Sequence, residues 1–183
     1  MVNMKQILSF LKRHKEKIIK YFLILASILI SGLIIYFRND LDKLQGYGIF
    51  GIFLISVLGN ATVVIPAPVI LSAFIGGSVY NPILIGLVVA LGATIGELTG
   101  FMAGFGGRVA IRDHRHFKRV ENCMTKSGFI TLLILGAIPN PLFDLAGMFA
   151  GATNYPIKRF LFATFLGKSI KFLVVALLGS NFL

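Results

Sequence analysis

The sequence predicts an all-α integral membrane protein: an N-terminal transmembrane helix, then an inverted repeat of a re-entrant helical hairpin plus a transmembrane helix. Three observations predict it. Apolar residues make up 56% of the 183 and charged residues 14%, against roughly 45–50% and about 25% in soluble domains. The apolar residues sit in long blocks, as a bilayer requires. Two of these blocks are broken by Pro-x-Pro, and the sequence around the breaks repeats.

The elements follow in order. Residues 4–17 mix Ile7, Leu8, Phe10 and Leu11 with Lys5, Lys12, Arg13, Lys15 and Lys17, an amphipathic basic helix suited to a membrane surface. Ile18 to Phe37 is long enough to span, and no Ala-x-Ala site follows it, so it is expected as an uncleaved first helix. Gly48 to Val79 is apolar with Pro66 and Pro68 in its middle. Proline removes a backbone donor and disfavours helix at the residue before it, so a break is expected at Ile65–Pro68. No charged residue lies within ten positions of that break. It is therefore expected at membrane depth, with a short arm, Val69 to Val79, returning to the side it came from. Backbone freed at that depth must be covered by protein or face a cavity.

Residues 82–107 are long enough to cross. Gly92, Gly96, Gly100 and Gly104 recur every four residues, a face on which another helix packs closely. Residues 108–127 are basic and expected to be partly helical and interfacial. Phe129 to Ile138 and Leu142 to Gly151 are short apolar arms around Pro139-Asn140-Pro141, a second hairpin. Residues 159–179 make the last crossing. The domain division is 1–46 and 47–183, the latter split into a first repeat (47–107), a linker (108–127) and a second repeat (128–183).

The repeat rests on four ordered matches. Ile65-Pro66-Ala67-Pro68 matches Ile138-Pro139-Asn140-Pro141, and Gly77 matches Gly151. Asn81-Pro82-Ile83 matches Tyr155-Pro156-Ile157, and Leu91 to Ile95 matches Leu166 to Ile170. A hairpin plus one crossing is an odd number of passes, so the copies point in opposite directions, a plan used by secondary transporters. Three full crossings in place of the first hairpin and its following helix would give the same parity, and the short arm and uncharged break favour the hairpin.

Charge fixes the orientation. The net charge of +11 gathers in residues 1–20 and 108–127, and residues 38–46 balance to zero. Lys/Arg enrichment marks cytoplasmic flanks, so both basic segments are expected inside a multi-pass cell-membrane protein. The same charge attracts anionic lipid and lacks the reader pattern of a nucleic-acid interface. Cys123 stands alone, which excludes an internal disulfide and a cysteine zinc site. His14, His114 and His116 lie in the basic stretches with no carboxylate pair beside them. No metal and no cofactor is expected. No Gly-x-Ser-x-Gly, His-Glu-x-x-His or P-loop occurs, so no enzyme is expected either.

The segment Pro66-Ala67-Pro68, Glu97 in its glycine run, and Pro139-Asn140-Pro141-Leu142-Phe143-Asp144-Leu145-Ala146-Gly147 with Gly167-Lys168 resemble the DedA/VTT superfamily, also called SNARE-associated Golgi proteins. The resemblance covers about residues 47–178 and is nearest to its small prokaryotic branch. It implies a role in moving or scrambling lipids. The sequence departs from a branch that has acids beside the first Pro-x-Pro and arginines beside the second. It has Gly59-Asn60, Val69-Ile70, Ala137 and Leu142 there.

Four ionisable residues lie inside apolar segments: Glu97, Asp144, Lys168 and Lys171. Each costs at least about 2.5–3.5 kcal/mol at the bilayer centre and needs a partner. They are expected to meet near the hairpin tips, with Asn60 and Asn140 adding hydrogen bonds. Two readings stand. The lysines receive an anionic head group while an acid holds them or exchanges a proton, or the four form a structural charge network. Lys158 and Arg159 are expected to snorkel to the interface. Membrane lipids are the expected partners, nucleic acid is not, and a homo-oligomer is left open. The alternatives to lipid translocation are a non-transporting membrane scaffold and a transporter of a small ion or solute.

Overall fold

A computed structural model describes residues 47–61, 67–111, 117–139 and 142–182; the side chains of 67, 108–111, 117–120 and 123 are outside that description. The surface helix and first crossing expected over residues 1–46 fall outside it. So do Pro66, Asn140, Pro141, His14, His114 and His116.

Every regular element among the described residues is helical. The helices are α1 (Gly48–Asn60), α2 (Ala67–Val79), α3 (Pro82–Gly96), α4 (Leu98–Ile111), α5 (Phe117–Ala137), α6 (Leu142–Ala152) and α7 (Ile157–Phe182). Local chemistry sets several ends. Asn81 caps α3, accepting from Ile83 N at 3.0 Å and Leu84 N at 3.2 Å, with Pro82 at the first helical position, where its missing N–H costs nothing. Asn154 ends α6 with φ +55°. Tyr155 N bonds Ala150 O at 2.9 Å and Asn154 N bonds Gly151 O at 3.1 Å, the paired closure of a left-handed helix cap. Pro156 then prevents continuation.

Two boundaries differ from expectation. The described helix α1 ends at Asn60, upstream of the break expected at Ile65–Pro68, and Pro68 lies in the first turn of α2. A proline inside the first turn loses no intrahelical bond. The second difference is α5, one 21-residue helix from Phe117. The basic linker and the apolar arm are joined because no proline separates them.

α3 and α4 form a nearly continuous crossing, with one turn residue at Glu97 whose N–H still bonds Ala93 O at 3.1 Å. Pro82–Gly107 and Ile157–Phe182 are each 26 residues and apolar enough to cross a membrane. Their outer faces are apolar and exposed, including Ile83, Leu84, Leu91, Phe162, Ile170 and Val174. An aqueous surface does not tolerate so continuous an apolar face.

Packing divides the apolar interior in two. One cluster joins Ile52, Val69, Ala73, Ile85, Val89 and Ala93 to Phe172 and Ala176. The other joins Phe101, Leu132, Phe143, Ala146 and Ala150 to Phe160 and Ala163. α7 runs through both, and so does the α3–α4 crossing. Between the clusters lie Glu97 on one crossing and Lys168 on the other.

The closest helix approaches come in exchanged pairs. Gly77 of α2 abuts the Ala176 backbone of α7, and Gly151 of α6 abuts the Phe101 backbone of α4. Likewise Gly104 of α4 abuts Met148 of α6, and Gly179 of α7 abuts Phe74 of α2. The glycine row from Gly92 to Gly104 does not serve a single partner. Gly92 and Gly96 receive α1, Gly104 receives α6, and Gly100 meets only the Met148 side chain. The crossing is shared because α1 and α6 are both too short to cover its full length.

Candidate functional site

The site forms where short helices end at the level of the two crossings. α1 delivers Asn60 from its last turn, and α6 delivers Phe143 and Asp144 from its first. Glu97 comes from the α3–α4 turn and Lys168 and Lys171 from the middle of α7.

Lys168 and Glu97 are 1% and 2% exposed and form an ion pair at 2.6 Å. Lys168 Nζ also donates to Asn60 Oδ1 at 2.5 Å, and it lies 5.0 Å from the centroid of the Phe143 ring. An ammonium has three donors; here two are taken by oxygens, and the aromatic face attracts the same cation. Asn60 is itself held, donating from Nδ2 to Ser56 O at 2.9 Å. The end of α1 carries partial negative charge from its free carbonyls, which favours a cation there. One of those carbonyls, Ala61 O, lies 2.7 Å from Thr99 Oγ1, and Gly96 O lies 2.9 Å from the same hydroxyl. Its single proton serves either.

The other acid and lysine lie further out. Asp144 is half-buried and within electrostatic reach of Glu97, Lys168 and Lys171. Lys171 is half-buried too, with Nζ 4.7 Å from the centroid of the Phe172 ring. Glu97 Oε2 faces α6 at Gly147, where an added Cβ would lie 3.6 Å away.

The structure thus brings together Asn60, Glu97, Asp144, Lys168 and Lys171. Pro139 is exposed beside the second break. Lys158 and Arg159 stand apart, exposed at the start of α7. Thr99, Ser56 and Phe143 were not anticipated as members; hydroxyls within apolar helices were the available signal. The two pockets described, of about 350 Å³ around Phe101 and Tyr155 and about 180 Å³ around Ile52 and Tyr80, are not lined by the charged residues. The Lys168–Glu97 centre of the cluster is buried, while Asp144 and Lys171 are partly exposed.

Thr164, one turn before Lys168, is fully buried, and its hydroxyl has no hydrogen-bond partner among the described residues. A buried orphan hydroxyl costs about 1–3 kcal/mol. Thr164→Val, which keeps the shape, is therefore expected to leave the melting temperature unchanged or raise it in detergent. A fall of several degrees would reveal a partner for the hydroxyl.

A family profile described as "VTT domain" matches residues 65–181. The chain belongs to the VTT domain family. Relatives agree. Vacuole membrane protein KMS1 of Arabidopsis thaliana is 44% identical over 78 residues, 40% of this chain and 16% of the relative. KMS2 of the same plant is 52% identical over 42 residues, 23% of this chain and 10% of the relative. Vacuole membrane protein 1 of Bos taurus is 47% identical over 51 residues, 28% and 13% of the two chains. The matches thus span a small part of these relatives' length. No solved structure matches. Family and apolar crossings together make this VTT-domain chain a helical membrane protein of the SNARE-associated superfamily.

Proposed function

We propose that this VTT-domain protein moves a lipid, or a lipid-linked anionic head group, across the cytoplasmic membrane without chemical change. The observation that carries the reading is the charge cluster itself. Two acids and two lysines sit between two apolar cores, at the level where short helices end. Intramembrane ionisable residues mark substrate pathways, and broken helices meeting around a site are the transporter plan.

The finer architecture belongs to the same proposal. The hairpins α1–α2 and α5–α6 are re-entrant, and the halves 47–107 and 128–183 are inverted copies. The exchanged glycine contacts support this. Each half lays its second hairpin arm against the crossing of the other half, through equivalent residues. The protein is then multi-pass, with its N-terminus and residues 108–127 cytoplasmic. The exposed Lys158 and Arg159 fall on that same side.

A competing reading, a non-transporting scaffold, draws on the burial of Lys168 and its pairing with Glu97. Reconstitution into liposomes decides. Head-group-labelled phospholipid should become accessible to an external quencher faster than in protein-free vesicles. Equal rates would end the transport reading for lipid, and efflux of trapped ions or solutes without lipid movement would favour the small-solute alternative.

A further inference from the structure

We infer that Lys171 is the residue that engages the anionic head group, and that Lys168 is a positioning residue that holds the cluster in place. The inference rests on the lipid reading above and divides its two lysines by geometry.

Two of the three donors of Lys168 are already taken by oxygens, and the group is buried. Both its oxygen contacts are short, its remaining surroundings include the Phe143 ring, and it is sealed from the surface. To meet a phosphate it would have to leave Glu97 buried and unpaired, which is the costly state for a buried pair. The partners it holds come from three different elements: Asn60 from α1, Glu97 from the α3–α4 turn and Phe143 from α6. Its position therefore fixes how the helix ends converge.

Lys171 differs on each point. It is half-buried, between Ile170 and Phe172, and Ile170 and the nearby Val174 face outward. Among the described residues it makes no ion pair within 4.0 Å. Its ammonium rests on the face of Phe172, a contact an anion does not have to displace. Asp144 is near enough to balance its charge when the site is empty. The remaining charged groups facing it are Glu97, which attracts it, and Lys168, which repels it; those two are paired with each other. A phosphate arriving from the membrane therefore meets Lys171 as the available cation, with Asp144 as the counter-charge that it replaces. Lys171 would accordingly select anionic over zwitterionic head groups.

The test has a binding arm and a transport arm. Phosphatidylglycerol added to the detergent-purified chain should raise the melting temperature of the wild type. Lys171→Gln should keep the lipid-free melting temperature and lose that shift, and Lys171→Arg should recover it. In phosphatidylcholine liposomes, Lys171→Gln should slow labelled phosphatidylglycerol at least tenfold, and slow labelled phosphatidylcholine by a clearly smaller factor. Lys168→Met should lower the lipid-free melting temperature, which a substrate contact alone would not do. If Lys171→Gln retains the phosphatidylglycerol shift, the assignment is overturned even where wild-type liposomes scramble lipid. If the shift is lost in Lys171→Gln but wild-type liposomes equal empty ones, Lys171 stands as a lipid contact and the transport reading fails. A shift with soluble glycerol phosphate and none with phosphatidylglycerol overturns the lipid as ligand.

Discussion

Replacing Lys168 with methionine is expected to destabilise the folded chain by about 3–5 kcal/mol, the cost of orphaning a buried charge. The geometry places this substitution at the high end. Glu97 is as buried as Lys168, and its Oε1 loses the ammonium at 2.6 Å. Asn60 Oδ1 loses its donor as well. Glu97 can reduce the penalty by taking a proton, with the neighbouring Asp144 carboxylate as acceptor, but Asn60 still loses its donor. Glu97→Met alone should cost a similar amount, because Lys168 is then left with Asn60 as its oxygen partner. The double variant should cost much less than the sum, since well-packed apolar pairs often replace buried ion pairs with little loss. Reversible unfolding in mixed micelles measures all three. Single variants within about 0.5 kcal/mol of wild type would mean that neither charge is buried and ionised in the folded protein.

The need for such a pair was legible in the sequence, but the identity of the partners was not. Any charge in so apolar a chain must be neutralised, and two acids facing two lysines supplied the means. Which acid meets which lysine depends on where the α3–α4 crossing passes α7. That is a tertiary fact with no local signature. Asn60 shows the same limit from the other side. It was expected to add a hydrogen bond near the hairpin tip, but nothing local named its partner. The structure ends α1 at Asn60, and this is what frees its side chain to reach Lys168. Two boundaries beside prolines were read well: the crossing that starts at Pro82 and the short arm that starts at Leu142. The basic segment was expected to be partly helical, but its continuity with the apolar arm in α5 was not read. Charge reports the medium around a helix, and backbone continuity decides where the helix runs.

The glycine row offers a sharper test, because one substitution made four residues apart should change sign. In Gly104→Ala the new methyl would be driven into the backbone carbonyl of Met148 on α6. A backbone atom cannot rotate aside as a side chain can, so α4 and α6 must separate. Overpacking of this kind costs typically 1–3 kcal/mol, and here it acts through a whole helix–helix contact. An alanine in mid-helix recovers roughly 0.5–1 kcal/mol over glycine, which reduces the loss without cancelling it. Gly100→Ala meets the Met148 side chain at 3.9 Å, an ordinary contact, so it should keep that gain and raise stability. Gly179→Ala should resemble Gly104→Ala, because it meets the Phe74 backbone in the exchanged contact. Unfolding midpoints in detergent would order the variants Gly100→Ala above wild type and the other two below. If Gly104→Ala were tolerated as well as Gly100→Ala, α6 would not be seated on α4 as described. The anchoring of Phe143 and Asp144 at the charge cluster would fail with it, since both ride on the first turn of α6.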